Sequence, residues 1–419
     1  VRYLLSALVA LAAPPLFAAD LPKFKTQEID TGLKIGYAVI TADIDGDKKL
    51  DIVVVDQHKI VWYQNPGKPD EQWKKHVILD GKTRPDNVCI APIDIDGDGL
   101  PELVVGAAWK PFDTATAAQL IWLKRGKNVT DEWTMHELPC DEPTVHRVRV
   151  FDIDGDGKPE IVHVPLMGRG SSAKGNWTDG KPVRVVALKV PAKDPEKKEN
   201  WKTEVLSEEL NVTHNFWAEY PQATGREHPT PNIYVTSYDG VHVLSEEKGK
   251  WMTNKIGVGN QANPKSNRGA SEIKVGRVGG RLGTIATIEP WHGNQVVVYT
   301  APEKEGEKLW ERHVIDEQLR WGHAVWFADL DGDKVDELII GVRDDPNPKA
   351  GDTFKERRGA RVYKCTDGKG ARWERTILDD GGVAVEDLTA ADLDGDGKVD
   401  IIAVGRQTGN ARIYWNQGK

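Results

Sequence analysis

Carboxylates at one fixed spacing recur five times along the chain, at positions 1, 3, 5 and 9 of a short Gly-containing run. They are Asp43, Asp45, Asp47 and Asp51, then Asp94, Asp96, Asp98 and Glu102, then Asp152, Asp154, Asp156 and Glu160. Two later copies supply Asp329, Asp331, Asp333 and Glu337, and Asp392, Asp394, Asp396 and Asp400. Oxygen ligands so spaced let a tight loop turn several carboxylates onto one hard cation. An EF-hand shares the first part of the spacing, but its loop is longer and lies between helices. Here a β run follows each loop at once, as in Asp51-Ile-Val-Val-Val55 and Asp400-Ile-Ile-Ala-Val404. The reading is calcium held structurally in strand–strand turns, in preference to solvated acidic turns without metal.

A second set of reactive side chains stands at a constant offset from these loops. Six residues before the first Asp lie Tyr37, Val88, His146, His323 and Glu386. At matching strand starts in two units without an acidic loop stand His214 and Glu272. Most are titratable, where a packing role favours small or apolar groups. His214, Glu272 and His292 are expected to offer three ligands to zinc or another divalent metal, leaving a fourth position open. His146 or His323 would then remove a proton α to a carbonyl, with Arg147 or Arg169 steadying the enolate. Trp109, Lys110, Trp291, Arg343, Arg406 and Glu386 are the candidate substrate contacts. Aromatic faces suit sugar C–H surfaces, and arginine suits carboxylates. Arg357 and Arg358 lie in a further loop of the same kind.

The elements that must position these groups follow from the repeat. The acidic loops start at 43, 94, 152, 329 and 392, and the long gap of 177 residues is three times 59. Two more units therefore lie inside it, giving seven. An aromatic-led edge strand recurs at the same count, from Phe24-Lys-Thr-Gln-Glu-Ile29 and Trp73 through Trp133, Trp201, Trp251 and Trp310 to Trp373. A short strand before a Gly/Pro/Lys turn also appears seven times, from Ile60-Val-Trp-Tyr63 to Arg412-Ile-Tyr-Trp415. Seven four-stranded units of about 60 residues predict an all-β, seven-bladed β-propeller. The last unit lacks its edge strand, so Phe24–Ile29 is predicted to complete it and close the ring, leaving no free sheet edge. Glu219–Gly225 and Arg277–Gly280, the turns of the two degraded units, lack the acid spacing and are expected to hold no ion.

With its Asp-x-Asp-Gly-Asp loops each followed by a hydrophobic strand, the chain resembles the FG-GAP/VCBS-type propellers. More narrowly, it is similar to the propeller domain of the aldos-2-ulose dehydratases. The stretches that carry this are His146-Arg-Val-Arg-Val-Phe-Asp152, Glu289-Pro-Trp-His-Gly-Asn294, Gly322-His-Ala-Val-Trp326 and Gly405-Arg-Gln-Thr-Gly-Asn410. The narrower resemblance implies loss of water from a keto-sugar at a metal-bearing pocket. The cupin domains of that family have no counterpart in this sequence, so the isomerase activity housed there is expected to be missing. A carbohydrate lyase or dehydratase, acting by metal-assisted β-elimination on a keto-sugar or uronate glycan, is the expectation. Its rival is a non-catalytic carbohydrate- or protein-binding propeller. A lectin would repeat one pocket in several blades, whereas the His and Glu residues here differ in surroundings and converge once.

Composition bounds the partners. With 56 Lys and Arg against 65 Asp and Glu, the net charge of -9 argues against nucleic acid. Residues 1–19 read as a signal peptide, with Arg2, an apolar run from Leu4 to Leu11 and small residues at Ala18-Ala19. Residues 20–419 then form one propeller domain, periplasmic or extracellular, with no integral membrane segment. Three cysteines (Cys89, Cys140 and Cys365) are too few for a disulfide framework and lack metal spacing, although one pair remains able to bridge. The oligomeric state is not legible.

Overall fold

The computed structural model describes residues 21–221, 228–302, 309–343 and 358–419. The expected signal peptide and Arg357 lie outside the described residues, as does most of the 219–225 turn. Chain order gives β1 (Phe24–Asp30), then the first blade, β2 (Ala38–Ala42), β3 (Asp51–Val55), β4 (Lys59–Gln64) and β5 (Lys74–Asp80). The second blade is β6 (Cys89–Ile93), β7 (Glu102–Ala107), β8 (Gln119–Lys124) and β9 (Thr134–Glu137). The third is β10 (Val145–Phe151), β11 (Glu160–Pro165), β12 (Val183–Lys189) and β13 (Lys202–Leu210). The fourth is β14 (Thr213–Glu219), β15 (Asn232–Ser237), β16 (Gly240–Glu247) and β17 (Lys250–Gly257). The fifth is β18 (Ile273–Val278), β19 (Arg281–Glu289), β20 (Gln295–Thr300) and β21 (Glu311–Asp316). The sixth is β22 (Gly322–Ala328), β23 (Glu337–Val342), β24 (Gly359–Cys365) and β25 (Trp373–Asp380). The seventh is β26 (Val385–Ala391), β27 (Asp400–Gly405) and β28 (Ala411–Asn416), completed by β1.

All seven sheets are antiparallel meanders, and β1 pairs with β28 from Phe24↔Asn416 onward. The ring thus closes with an N-terminal strand, as the missing edge strand of the last unit predicts. Successive inner strands pack on one another in the cycle β2, β6, β10, β14, β18, β22, β26 and back to β2, which encloses a central channel. The second strands carry the apolar runs because they are covered by neighbouring blades on both faces. Every residue of β3, β7, β11, β23 and β27 is buried. Outer strands alternate instead, as in β5, with one face to solvent.

The acidic loops join first to second strands, all on one face of the ring. In each, the ninth-position acid opens the second strand and reaches back to the loop backbone. Asp51, Glu102, Glu160, Glu337 and Asp400 accept from the N–H of Ile44, Ile95, Ile153, Leu330 and Leu393. The loop's own bend needs a left-handed residue at position 4, which Gly46 supplies at φ 80° and Gly155 at φ 74°. No helix among the described residues is long and apolar enough to cross a membrane. All three cysteines are free, and Cys89 is buried.

Candidate active site in the channel

The inner strands do not deliver their side chains uniformly. Four of them shift register where they begin, between Val145 and Arg147, Thr213 and Phe216, Gly322 and Ala324, and Val385 and Asp387. These are the strands that carry His146, His214, His323 and Glu386. A bulge puts two consecutive side chains on one face and turns the strand. The next channel-facing residue then falls three positions on, at Arg149, Trp217, Trp326 and Thr389. The regular strands keep the ordinary period of two, so Glu272 is followed by Lys274 and Val88 by Ile90.

A second local feature singles out the three histidines. Two residues before each lies a non-glycine in the left-handed region, Thr144 at φ 48°, Val212 at φ 49° and Trp321 at φ 59°. His292 itself sits at φ 52°. Such positions cost on the order of 1–3 kcal/mol each and gather at functional sites. Two of the three are β-branched, for which the conformation is least comfortable.

The hydrogen bonds assign the histidine protons. His146 Nδ1 lies 2.9 Å from the carbonyl oxygen of His214, so Nδ1 carries the proton, and its Nε2 accepts from Arg147 Nη1 at 3.2 Å. His323 Nδ1 donates to the carbonyl of Glu386, leaving the Nε2 lone pair free. Arginine can only donate. Arg343 Nη2, 3.2 Å from His292 Nδ1, therefore fixes the His292 proton on Nε2, which points at His214 Nε2, 2.8 Å away. His214 in turn carries its proton on Nδ1, 2.7 Å from Glu272 Oε1, though off the line of a hydrogen bond. His146, His214 and His323 are thus all Nδ1–H tautomers with fixed rings; the Nε2 lone pair of His323 is free, while that of His146 accepts from Arg147 and that of His214 from His292. The rings lie close, with centroids 4.5 Å apart for His146 and His214 and 4.9 Å for His292 and His323.

Charge is distributed in two clamps. Glu272 Oε1 pairs with Arg147 at 3.1 Å, and its other oxygen accepts from Asn215. Glu386 is held by Arg343 at 2.9 Å and by Arg406 at 2.7 Å. Burial pushes both carboxyls up, but the arginines and histidines outweigh it and hold them well below the usual carboxylate range. Both are therefore firmly ionised. Burial, reinforced by Arg147, pulls His146 well below the ordinary imidazole value. Burial brings His323 to about 3 against the opposing pull of Glu386. His214 and His292 are lowered likewise, chiefly by burial. The four imidazoles are neutral at physiological pH, which is the state that accepts a proton or a metal.

Other expected site residues fall on the rim of the same mouth. Trp109 tilts against His146 at 4.7 Å, and Trp291 stacks on His292 at 4.1 Å. Lys110 is exposed on the same loop as Trp109. Arg169, expected to steady an enolate, instead donates to the carbonyls of Ala115 and Asp141 on the outer rim. Glu272, expected as a ligand, has its oxygens engaged by Arg147, His214 and Asn215. The ring nitrogens that converge to within 4.8 Å of one another belong to His214, His292 and His323. Arg147 joins the cluster because the bulge turns it inward beside His146.

Sequence reasoning missed Asn215, Asp387, Arg149 and Lys274. Burial lowers the Lys274 ammonium to about 7, with Arg149 adding to the shift and Glu272 and Asp387 opposing it. The signal was present as polar residues one to three places after the ring positions, Asn215 and Asp387 one place on, Lys274 two and Arg149 three. Only the bulges say which spacing applies.

Residues 117–302 match the aldos-2-ulose dehydratase β-propeller domain, and residues 43–105 match an FG-GAP-like repeat. The first stretch contains His146, His214, Glu272 and His292 but not His323 or Glu386. Aldos-2-ulose dehydratase of Phanerodontia chrysosporium is 26% identical over 277 residues, which is 62% of this chain and 29% of that protein. The chain therefore corresponds to under a third of that relative's length. A crystal structure of BBS1N in complex with ARL6DN, soaked with mercury, aligns over 94% of this chain and 96% of that one, with a TM-score of 0.51 and 13% identity. The lead-soaked counterpart gives 0.50 and 12%. At that identity the likeness speaks for the fold alone.

Proposed function

We propose that the channel cluster performs β-elimination of water or an alkoxide from a keto-sugar or uronate-containing glycan. The observation that carries this is a set of neutral imidazoles with fixed tautomers, wedged between two arginine–carboxylate clamps, in a chain similar to a sugar dehydratase. In this reading His146 is the base. Its Nδ1–H is anchored on the His214 carbonyl, and its Nε2 takes the proton α to the substrate carbonyl. Arg147 Nη1, now 3.2 Å from that nitrogen, lies where it would meet the enolate oxygen beside the departing proton. The imidazolium then returns the proton to the leaving β-oxygen, so that water or alcohol departs and a carbon–carbon double bond conjugated with the carbonyl or carboxylate remains. Trp109 and Trp291 would cover the sugar and exclude water. Glu386, held ionised, orients Arg343 and Arg406 and is no proton donor.

His214, His292 and His323 would hold a divalent ion of the zinc class, with Glu272 bracing His214 from behind. Such an ion supplies Lewis acidity toward the substrate carbonyl. His292 would then need its proton on Nδ1, which requires Arg343 to turn fully to Glu386. Elemental analysis by mass spectrometry, wild type beside a His214→Ala, His292→Ala double variant, tests this. One transition-metal equivalent should be lost in the variant, and equal metal in both sinks the channel ion.

The five acidic loops, in this reading, hold calcium. Their buried ninth-position acids fit such an ion, and Glu160 Oε1 has no hydrogen-bond partner although it is shut off from solvent. Export would place the loops where calcium is plentiful.

The elimination itself is tested by following the absorbance of that conjugated double bond with a panel of keto-sugars and uronate glycans. Binding of any of these without elimination would move the non-catalytic carbohydrate-binding reading ahead. Since burial and Arg147 depress the base, kcat/KM should show no inflection near 6.5 and should fall only at lower pH. An acid limb centred on 6.5 would remove His146 from the role.

A further inference from the structure

Below the histidines, toward the acidic-loop face, the channel widens into a cavity of about 360 Å³. Its walls are mainly apolar, including Ile40, Ile90, Phe151 and Leu388. One cation, Arg149, and one acid, Asp387, line it among these apolar groups, and a second cation, Lys274, packs on Trp217 and Trp326, whose rings also line it. Lys274 is 5% exposed, and its ammonium has one bond, a 3.5 Å contact to the carbonyl of its neighbour Ile273. It lies 4.5 Å over the ring of Trp217 and 5.0 Å over that of Trp326. Arg149 lies over the same Trp217 at 5.1 Å and reaches Asn215 Oδ1 at 3.4 Å, while its Nε is buried with no hydrogen-bond partner.

Among the described residues, neither cation forms an ion pair with a carboxylate. Of the two acids nearest them, Glu272 is taken by Arg147. The other, Asp387, accepts the Val39 N–H at 3.0 Å. Arg147, Arg149 and Lys274 thus outnumber Glu272 and Asp387 by one. An uncompensated charge in low dielectric is costly, and it is relieved by loss of the proton, which Lys274 can undergo and Arg149 cannot, or by a bound counter-ion. From this imbalance and the apolar walls we infer that the lower chamber is a binding site for a small organic monocarboxylate. The carboxylate lies between Arg149 and Lys274, and its hydrocarbon part lies against Ile90 and Leu388. The site is separate from the histidine cluster and does not depend on the catalytic reading.

Calorimetric titration of the full chain with sodium butanoate tests the assignment, with 1-butanol as the uncharged control. One butanoate is expected to bind per chain, and butanol at least tenfold more weakly. Arg149→Met and Lys274→Met should each weaken butanoate at least tenfold. Asp387→Asn removes the competing negative charge and should tighten it several-fold, which keeps the test decisive if a methionine variant fails to fold. His146→Gln should leave the affinity unchanged. Equal binding of butanol, absence of butanoate binding, insensitivity to the Asp387 change, or loss of binding in His146→Gln would each overturn the proposal. Inorganic phosphate should bind more weakly, because it has no hydrocarbon part to lie against Ile90 and Leu388, and phosphate binding as tight as butanoate overturns the carboxylate assignment.

Discussion

His146→Gln is expected to lower kcat by roughly 10²- to 10⁴-fold, the range supplied by a well-placed general base, while KM moves little. The amide can still donate toward the His214 carbonyl, so the strand start should hold its shape. What disappears is a ring nitrogen able to carry a proton away and bring it back. The contrast with His214→Ala, His292→Ala separates this role from metal binding. The single variant should retain the channel metal and lose turnover, whereas the double variant loses both. A His146→Gln enzyme within a factor of a few of wild type would transfer the base role to His323, whose Nε2 lone pair has no donor on it. Arg147→Lys is a companion measurement, because lysine keeps the charge but not the fork that reaches both His146 and Glu272.

The architecture was legible because two strand markers recur in all seven units and the acidic loop in five, so an error in one blade is corrected by the others. Phe24–Ile29 was placed in the last blade by simple bookkeeping of strands, and β1 pairs with β28 accordingly. The ring positions were legible for a similar reason. The acidic loop fixes a constant offset, and His146, His214, Glu272, His323 and Glu386 do meet in the channel. The partners of those residues were not legible. Thr144, Val212 and Trp321 take left-handed backbone that no local propensity favours, and bulges at the starts of β10, β14 and β26 turn Arg147, Asn215 and Asp387 inward. Glu272 shows the consequence. Its residue type suits a metal ligand, but Arg147 arrives through a bulge and occupies the oxygen that an ion would need.

Calcium removal should produce the largest change in stability, and that change should grow with pH. At a free concentration one hundred times the dissociation constant, each site contributes about 2.7 kcal/mol. Five such loops together should lower the thermal midpoint by about 10 °C or more when the ion is chelated. The pH dependence follows from the ninth-position acids. Burial, then the neighbouring loop aspartates, outweighs the backbone N–H bonds and raises Asp51, Glu160, Glu337 and Asp400 to about 7. Their unfolded values lie near 4, so between about 4 and 7 the folded calcium-free chain binds more protons than the unfolded one. Its stability is therefore greatest at the acid end of that window and is lost as pH rises through 7. Calcium reverses the sense, because it needs the deprotonated carboxylates and relieves their mutual repulsion. It must also displace Lys189 from Asp154 and Asp156, which it can do only where those acids offer it more than an exposed ammonium gains. Thermal melts with calcium and with chelator should accordingly nearly coincide at pH 5 and separate widely at pH 7.5. A gap that stays constant across that range would mean that the ninth-position acids do not bind the ion. No gap at all would return the five loops to plain acidic turns, held together by their own backbone and by lysine.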